Sequence, residues 1–229
     1  MIEVSVITPT YNRRAFLPAL LHIYQSQTFP KERMEWIILD DGRDAVADVF
    51  QNLSIPNLRY ERREEKMRIG AKRNELNRLA RGAIIVAMDD DDYYPPDRIQ
   101  TVVEAFRKNP TIQLAGSSMM HLYHIHTKKI VETGPYGPNH ATNGTMAWRK
   151  SYADTHHYDE YVSKAEEQSF LEGYRYPMIQ LDPKKTILVM CHDDNTVDKS
   201  SIQKKKDTTD TLTDWVKDAF LLYFYTSLT

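Results

Sequence analysis

The sequence predicts an α/β fold with a mostly parallel sheet flanked by helices. Two observations carry that prediction. Short β-branched runs alternate with segments of helical spacing through the first half of the chain. Strict alternation of that kind argues for a parallel sheet covered by helices. The predicted strands also end in polar or acidic clusters, and open α/β sheets bind ligands outside the carboxyl ends of their strands.

Residues 2–8 form a β-branched run ending at Pro9 and read as the first strand. Residues 14–27 follow, with Phe16, Leu17, Leu20, Leu21 and Tyr24 at helical spacing. The run Glu35-Trp36-Ile37-Ile38-Leu39 is the second strand and stops at Asp40-Asp41-Gly42. A helix is expected over residues 44–50 and a weak strand over 57–61. Residues 69–81 read as a helix ending at Gly82, a favoured residue just past a helix end. Residues 83–87 are continuously apolar, as in a strand buried on both faces. Pro95 and Pro96 open a helix running to residue 109, since proline suits the first turn.

The second half is less regular. Residues 114–125 and 129–132 read as a hairpin, followed by a loop rich in breakers over 133–139. Residues 143–149 and 186–190 are expected to be strands, and 164–174 a helix. A polar loop is expected over 198–210 and an amphipathic, aromatic-rich helix over 211–228. The expected organisation is one domain with a first half over 1–110 and a second half over 111–197, followed by the loop and helix over 198–229.

Composition narrows the function classes. The chain has 229 residues, 41% of them hydrophobic, enough for a core of one compact domain. Its net charge of −2 gives no sign of nucleic-acid binding. Cys191 is the only cysteine, so no disulfide forms within the chain. The N-terminus reads as strand and turn, not as a signal peptide. No apolar stretch reaches the roughly 18–20 residues that span a bilayer. A cytoplasmic protein is expected, with the cytosolic face of a membrane as a possible site of action.

Candidate site residues lie where the strands end. Asp89-Asp90-Asp91-Asp92 directly follows the apolar run AIIVAM. Adjacent carboxylates repel unless water or a cation compensates them. One reading is a solvated turn that caps the next helix. The other is a divalent-cation site, since Mg²⁺ and Mn²⁺ favour carboxylate oxygens and bridge to phosphates. Asp40-Asp41-Gly42 reads as a turn, or as carboxylates that accept hydrogen bonds from a base N–H or a ribose hydroxyl. Lys72 and Arg73 open a helix and read as part of a solvated basic face, or as anion contacts at the helix N-terminus. Glu166-Glu167 reads as an acidic helix start or as a general base. His192 reads as structural, or as a metal or phosphate ligand. His121, His124 and His126 lack the spacing of zinc ligands. Asn143-Gly144-Thr145 is small and polar enough to line a sugar pocket.

Together and in this order, these pieces resemble the family 2 inverting glycosyltransferases of the GT-A fold. The matching blocks are VITPTYNR from Val6, ILDDG from Ile38, GAKRN from Gly70, MDDDD from Met88, the pair Glu166-Glu167, and His192. The resemblance implies a nucleotide-sugar donor, a UDP-sugar by default, and a glycan or other hydroxyl acceptor. It implies that Thr8, Pro9 and Tyr11 line the base and ribose. Asp40 or Asp41 would bind the base, with Arg73 nearby and Lys72 beside it. Asp89 would face the ribose and Asp91 a divalent cation, Mn²⁺ or Mg²⁺, with Asp90 between them in the donor site. Glu167 or Glu166 would be the catalytic base, and His192 with Asn195 would close over metal and diphosphate. The processive synthases' Gln-x-x-Arg-Trp motif is absent from the sequence, which favours single transfer. A non-catalytic nucleotide-sugar-binding domain and a sugar nucleotidyltransferase are the alternatives. The C-terminal helix either packs on its own domain or docks a partner, a membrane surface or a further domain.

Overall fold

The computed structural model describes residues 1–51, 53–162, 165–193, 195 and 205–228. Its strands are β1 (Val4–Thr10), β2 (Met34–Asp40), β3 (Leu58–Arg62), β4 (Ile84–Ala87), β5 (Leu114–Gly116), β6 (Met120–His124), β7 (Lys129–Thr133), β8 (Ala147–Arg149), β9 (Met178–Gln180), β10 (Leu188–Cys191) and β11 (Lys205–Asp207). Its helices are α1 (Leu17–Ser26), α2 (Ala47–Phe50), α3 (Ile69–Leu79), α4 (Arg98–Lys108), α5 (Lys150–Ala153), α6 (Glu167–Phe170), α7 (Leu212–Trp215) and α8 (Ala219–Ser227).

Seven strands form the main sheet in the order β3-β2-β1-β4-β8-β5-β9. β8 alone is antiparallel to its neighbours β4 and β5. The alternation of strand side chains decides the layers. Val4, Val6, Trp36, Ile38, Ile84 and Val86 face one core, shared with α1, α4 and α8. Ile7, Ile37, Leu39, Ile85 and Ala87 face the other, shared with α3, α5 and α6. Both faces are covered, so these strands read as continuous apolar runs.

The smaller sheet has the order β10-β6-β7-β11. The expected first arm of a hairpin over 114–125 is split between the two sheets, β5 in one and β6 in the other. Only β6 and β7 form the hairpin. Part of the expected polar loop, Lys205–Asp207, is a strand paired with β7, while 198–204 lie outside the described residues. The expected helix over 211–228 is two helices. A capping box of Thr211 and Asp214 starts α7. Val216 is extended, and Asp218 caps α8 by accepting from Leu221 N–H at 3.0 Å. Helix α8 packs on its own domain, with Leu221 and Tyr225 buried and His22 bonded to Asp218 at 2.8 Å. No helix among the described residues is long and apolar enough to cross a membrane.

Candidate active site

Strands β1, β2 and β4 lie side by side and point the same way, so their carboxyl ends meet at one edge. The order reverses around β1, which creates the crevice where such sheets bind ligands. Two loops are locked together there. Asn12 adopts φ 54° and its Oδ1 accepts from Arg43 N–H at 2.7 Å. A Cβ on Gly42 would lie 2.7 Å from Asn12 N, so only glycine allows this approach.

The four consecutive aspartates have four different environments. Asp89 and Asp91 are half-buried, whereas Asp90 and Asp92 are buried. Asp92 Oδ1 accepts from Met190 N–H at 2.8 Å and so fastens the run to β10. Asp89 Oδ1 accepts from Arg73 at 3.2 Å, and its backbone N–H donates to the Tyr94 hydroxyl at 2.8 Å. Asp90 and Asp91 flank Arg13, at 3.9 Å and 3.7 Å. Burial, and then the charge of Asp91, raises the Asp90 pKa well above the usual carboxylate value. Asp91 Oδ2 lies 3.2 Å from His192 Nε2 and 3.5 Å from Asn195 Nδ2. The His192 ring rests on Phe16, with centroids 4.6 Å apart. The Asp91 carboxylate oxygen is a donor that suits Mn²⁺ or Mg²⁺, and the His192 imidazole nitrogen is a second, softer donor beside it. Among the described residues no three His, Cys, Asp or Glu side chains converge as a complete cage, so a cation here would need ligands from substrate or water.

Arg73 organises the other side. It is 5% exposed, and its Nε donates to Glu166 Oε1 at 2.8 Å while its Nη atoms reach Asp89. Burial opposes its charge, but Asp89 and Glu166 more than offset this and raise its pKa. The Asn143 amide lies between Arg73 and the Tyr158 hydroxyl. The orientation that satisfies both puts its oxygen 2.7 Å from Arg73 Nη1 and its nitrogen 2.6 Å from Tyr158. Next to it, a Cβ on Gly144 would sit 3.1 Å from Asp89 Oδ2, so the turn Asn143–Thr145 does border the acidic edge.

Glu166 is thus consumed by Arg73, and Glu167 is left as the half-buried carboxylate of the pair. Burial, then the adjacent charge of Glu166, pushes the Glu167 pKa up to about 7. The expected helix over 164–174 is reduced to the single turn α6, with Lys164 outside the described residues.

Several expected contacts take a different form. Thr8 is fully buried and its Oγ1 accepts from Trp36 Nε1 at 3.0 Å. It shares the face of Val4 and Val6, so alternation turns its side chain into the core under Trp36. Pro9 is also buried within β1, which runs on to Thr10. Tyr11 does emerge at the strand end, with Lys66 Nζ 4.1 Å from its ring. Asp40 is 1% exposed and accepts from Gly42 N–H (2.8 Å), Val46 N–H (3.1 Å) and the Tyr60 hydroxyl (2.5 Å). It holds its own loop. Asp41 pairs with Lys72, which also donates to Thr10 O at 2.9 Å. Burial lowers the Lys72 pKa despite that partner. The start of α3 is covered by the chain: a Cβ on Gly70 would lie 2.0 Å from Asp159 O, and Asn74 exchanges hydrogen bonds with the Tyr158 backbone. Thr10 and Arg13 lie within the VITPTYNR block without a role assigned from the sequence, and Tyr158 belongs to no motif.

A mostly parallel sheet flanked by helices, with an acidic edge at its strand ends and a carboxylate of raised pKa beside it, fits a glycosyltransferase of the GT-A fold. The chain belongs to glycosyl transferase family 2, whose model matches residues 5–161. The match ends before Glu166. A glycosyltransferase of Haemophilus influenzae described as uncharacterized is 34% identical over 109 residues, 48% of this chain and 36% of that protein. The poly(ribitol-phosphate) beta-N-acetylglucosaminyltransferase TarS of Staphylococcus aureus is 31% identical over 96 residues, 41% of this chain and 17% of that one. The chain therefore spans well under half the length of these relatives. Among solved structures, S. aureus TarS 1–349 with UDP-GlcNAc superposes with a TM-score of 0.69 at 18% identity, over 85% of this chain and 60% of that one. The mannosyltransferase PcManGT of Pyrobaculum calidifontis with GDP-Man and Mn²⁺ gives 0.62 at 16%, over 81% and 56%. At these identities the likeness establishes the shared fold.

Proposed function

We propose that this chain is an inverting, divalent-cation-dependent glycosyltransferase that moves a sugar from a UDP-sugar to a hydroxyl of a glycan acceptor. The observation that carries this reading is the division of labour between the two glutamates. Arg73 holds Glu166 and Asp89, while Glu167 has a pKa of about 7, where a carboxylate is an effective base near neutral pH. Glu167 takes the proton from the acceptor hydroxyl as that oxygen attacks the anomeric carbon. The new carbon–oxygen bond forms opposite the one to the diphosphate, which leaves with the electron pair, so the configuration inverts.

Asp91 and His192 would hold the cation. When bound, it supplies positive charge to the leaving diphosphate. Arg13, beside Asp90 and Asp91, adds charge at the same place. Tyr11 offers its ring to the base, and Asp89 accepts from the ribose. The UDP preference and the glycan acceptor draw support from the nucleotide and the names of the relatives. Residues 1–110 are the donor half and 111–197 the acceptor half in this reading.

The test is a panel of UDP-, GDP- and dTDP-sugars with and without Mn²⁺, reading binding and slow hydrolysis. Metal-dependent binding and hydrolysis of one UDP-sugar is expected. Binding without hydrolysis or transfer would make the chain a non-catalytic domain, and no binding by any donor would remove the proposal.

A further inference from the structure

The segment that carries Glu167 has an unusual backbone. Ala165, Glu172 and Tyr174 have φ of 51°, 45° and 65°. Left-handed backbone is disfavoured for an L-residue, and such residues gather at functional sites. At Tyr174 this conformation lays the ring against His140, with centroids 4.5 Å apart and planes inclined by 28°. Tyr136 extends the surface, 5.0 Å from His140. The surface is braced from outside. Tyr136 N–H donates to Ser118 O at 3.2 Å, and Gln180 Nε2 donates to the carbonyls of Pro138 and His140 at 2.7 Å and 3.2 Å. Tyr174 is attached to the turn of the base, because Gly173 N–H donates to Gln168 O and Tyr174 N–H to Leu171 O. Leu171 N–H in turn donates to Glu167 O at 2.8 Å, which ties Tyr174 to the turn that carries the carboxylate; burial, and then the charge of Glu167, raises the Tyr174 pKa.

We propose that Tyr174, His140 and Tyr136 form the acceptor subsite, a stacking platform for a neutral pyranoside whose hydroxyl is presented to Glu167. This rests on the transferase reading above. An aromatic face carries partial negative charge and attracts the positive edges of C–H groups. The apolar face of a pyranose presents such C–H groups, while its hydroxyls point outward in the ring plane. Charge selects the same class of occupant. Burial lowers the His140 pKa, so its ring is neutral at pH 7. Glu167 brings negative charge, and Arg73 is spent between Asp89 and Glu166. Arg175 pairs with Glu172 and lies over Tyr176. An anionic polyol phosphate finds no cation at the platform among these groups, whereas an uncharged sugar ring needs none.

The test is saturation-transfer NMR on methyl pyranosides of glucose, galactose, mannose and N-acetylglucosamine, with UDP and Mn²⁺ present. Tyr174→Gly removes the ring and keeps the turn, since glycine takes left-handed backbone freely. Tyr174→Phe keeps the ring, and His140→Ala samples the platform away from the strained turn. One pyranoside is expected to bind, with saturation concentrated on the C–H protons of one ring face. Its Kd should rise about tenfold in Tyr174→Gly and in His140→Ala, and change less than about threefold in Tyr174→Phe. Absence of pyranoside binding, unchanged binding in Tyr174→Gly and His140→Ala, or binding of ribitol 5-phosphate in place of every pyranoside would each overturn the proposal. Failure of the transferase reading is seen separately, as loss of nucleotide-sugar binding and hydrolysis by the unaltered chain, a readout without acceptor.

Discussion

Replacing Glu167 with glutamine separates catalysis from stability in one variant. The folded pKa of about 7 lies above the ordinary 4.5, so the fold prefers the protonated acid. The stability that proton contributes is complete below pH 4.5 and is lost as pH rises through about 7. At about 1.36 kcal/mol for each pH interval of one, the loss by pH 8 is on the order of 3 kcal/mol, an upper bound because the side chain is half-buried and partly screened. Glutamine is neutral throughout and escapes the loss. Glu167→Gln should therefore match the unaltered chain in Tm near pH 4. It should exceed it by roughly 5 °C or more at pH 8. Its turnover should fall by about 10²–10⁴-fold, the usual contribution of a general base. Activity of the unaltered chain should rise with pH around a midpoint near 7. Thermal melts at both pH values and a pH–rate profile check all three expectations. Near-normal turnover, or a Tm difference independent of pH, would refute the reasoning.

Other perturbations probe the surrounding network. Glu166→Gln removes a charge that raises the Glu167 pKa, so the midpoint of the pH–rate profile should move to lower pH. Arg73→Met leaves Asp89 and Glu166 facing each other without a cation. It should cost about 3–5 kcal/mol in urea unfolding, with part regained when Glu166→Gln is added. Asp92→Ala leaves the buried Met190 N–H without that carboxylate and should cost about 1–3 kcal/mol, while folded protein keeps its Mn²⁺-dependent nucleotide binding. Asp91→Asn should do the reverse, sparing Tm and abolishing the Mn²⁺ dependence seen by calorimetry. Gly42→Ala puts a methyl 2.7 Å from Asn12 N and should destabilise by about 1–3 kcal/mol in the same unfolding assay.

The layers of the main sheet were legible in the sequence because they depend on local periodicity. Buried strands such as β4 and amphipathic helices such as α4 announce themselves within a few residues. The acidic edge was legible for the same reason, since strand ends place Asp40, Asp89 and Tyr11 by chain direction alone. Tertiary structure decided what each side chain does there. Thr8 and Asp92 are both polar, yet Thr8 lies under Trp36 because strand alternation turns it into the core, and Asp92, in a bend after β4, pins β10 through Met190 N–H. Arg73 selects Glu166 over Glu167 from a position 93 residues away in the chain, which no local pattern encodes. The separation of β5 from β6 and the break at Val216 have the same origin. Both depend on which partner strand or core face is within reach, a property of long-range packing that overrides local propensity. The sequence by itself thus determined the sheet, the acidic edge at its strand ends and the residue types gathered there. The three-dimensional arrangement assigned the charges, because a carboxylate's pKa and partner depend on burial and on neighbours brought from distant parts of the chain.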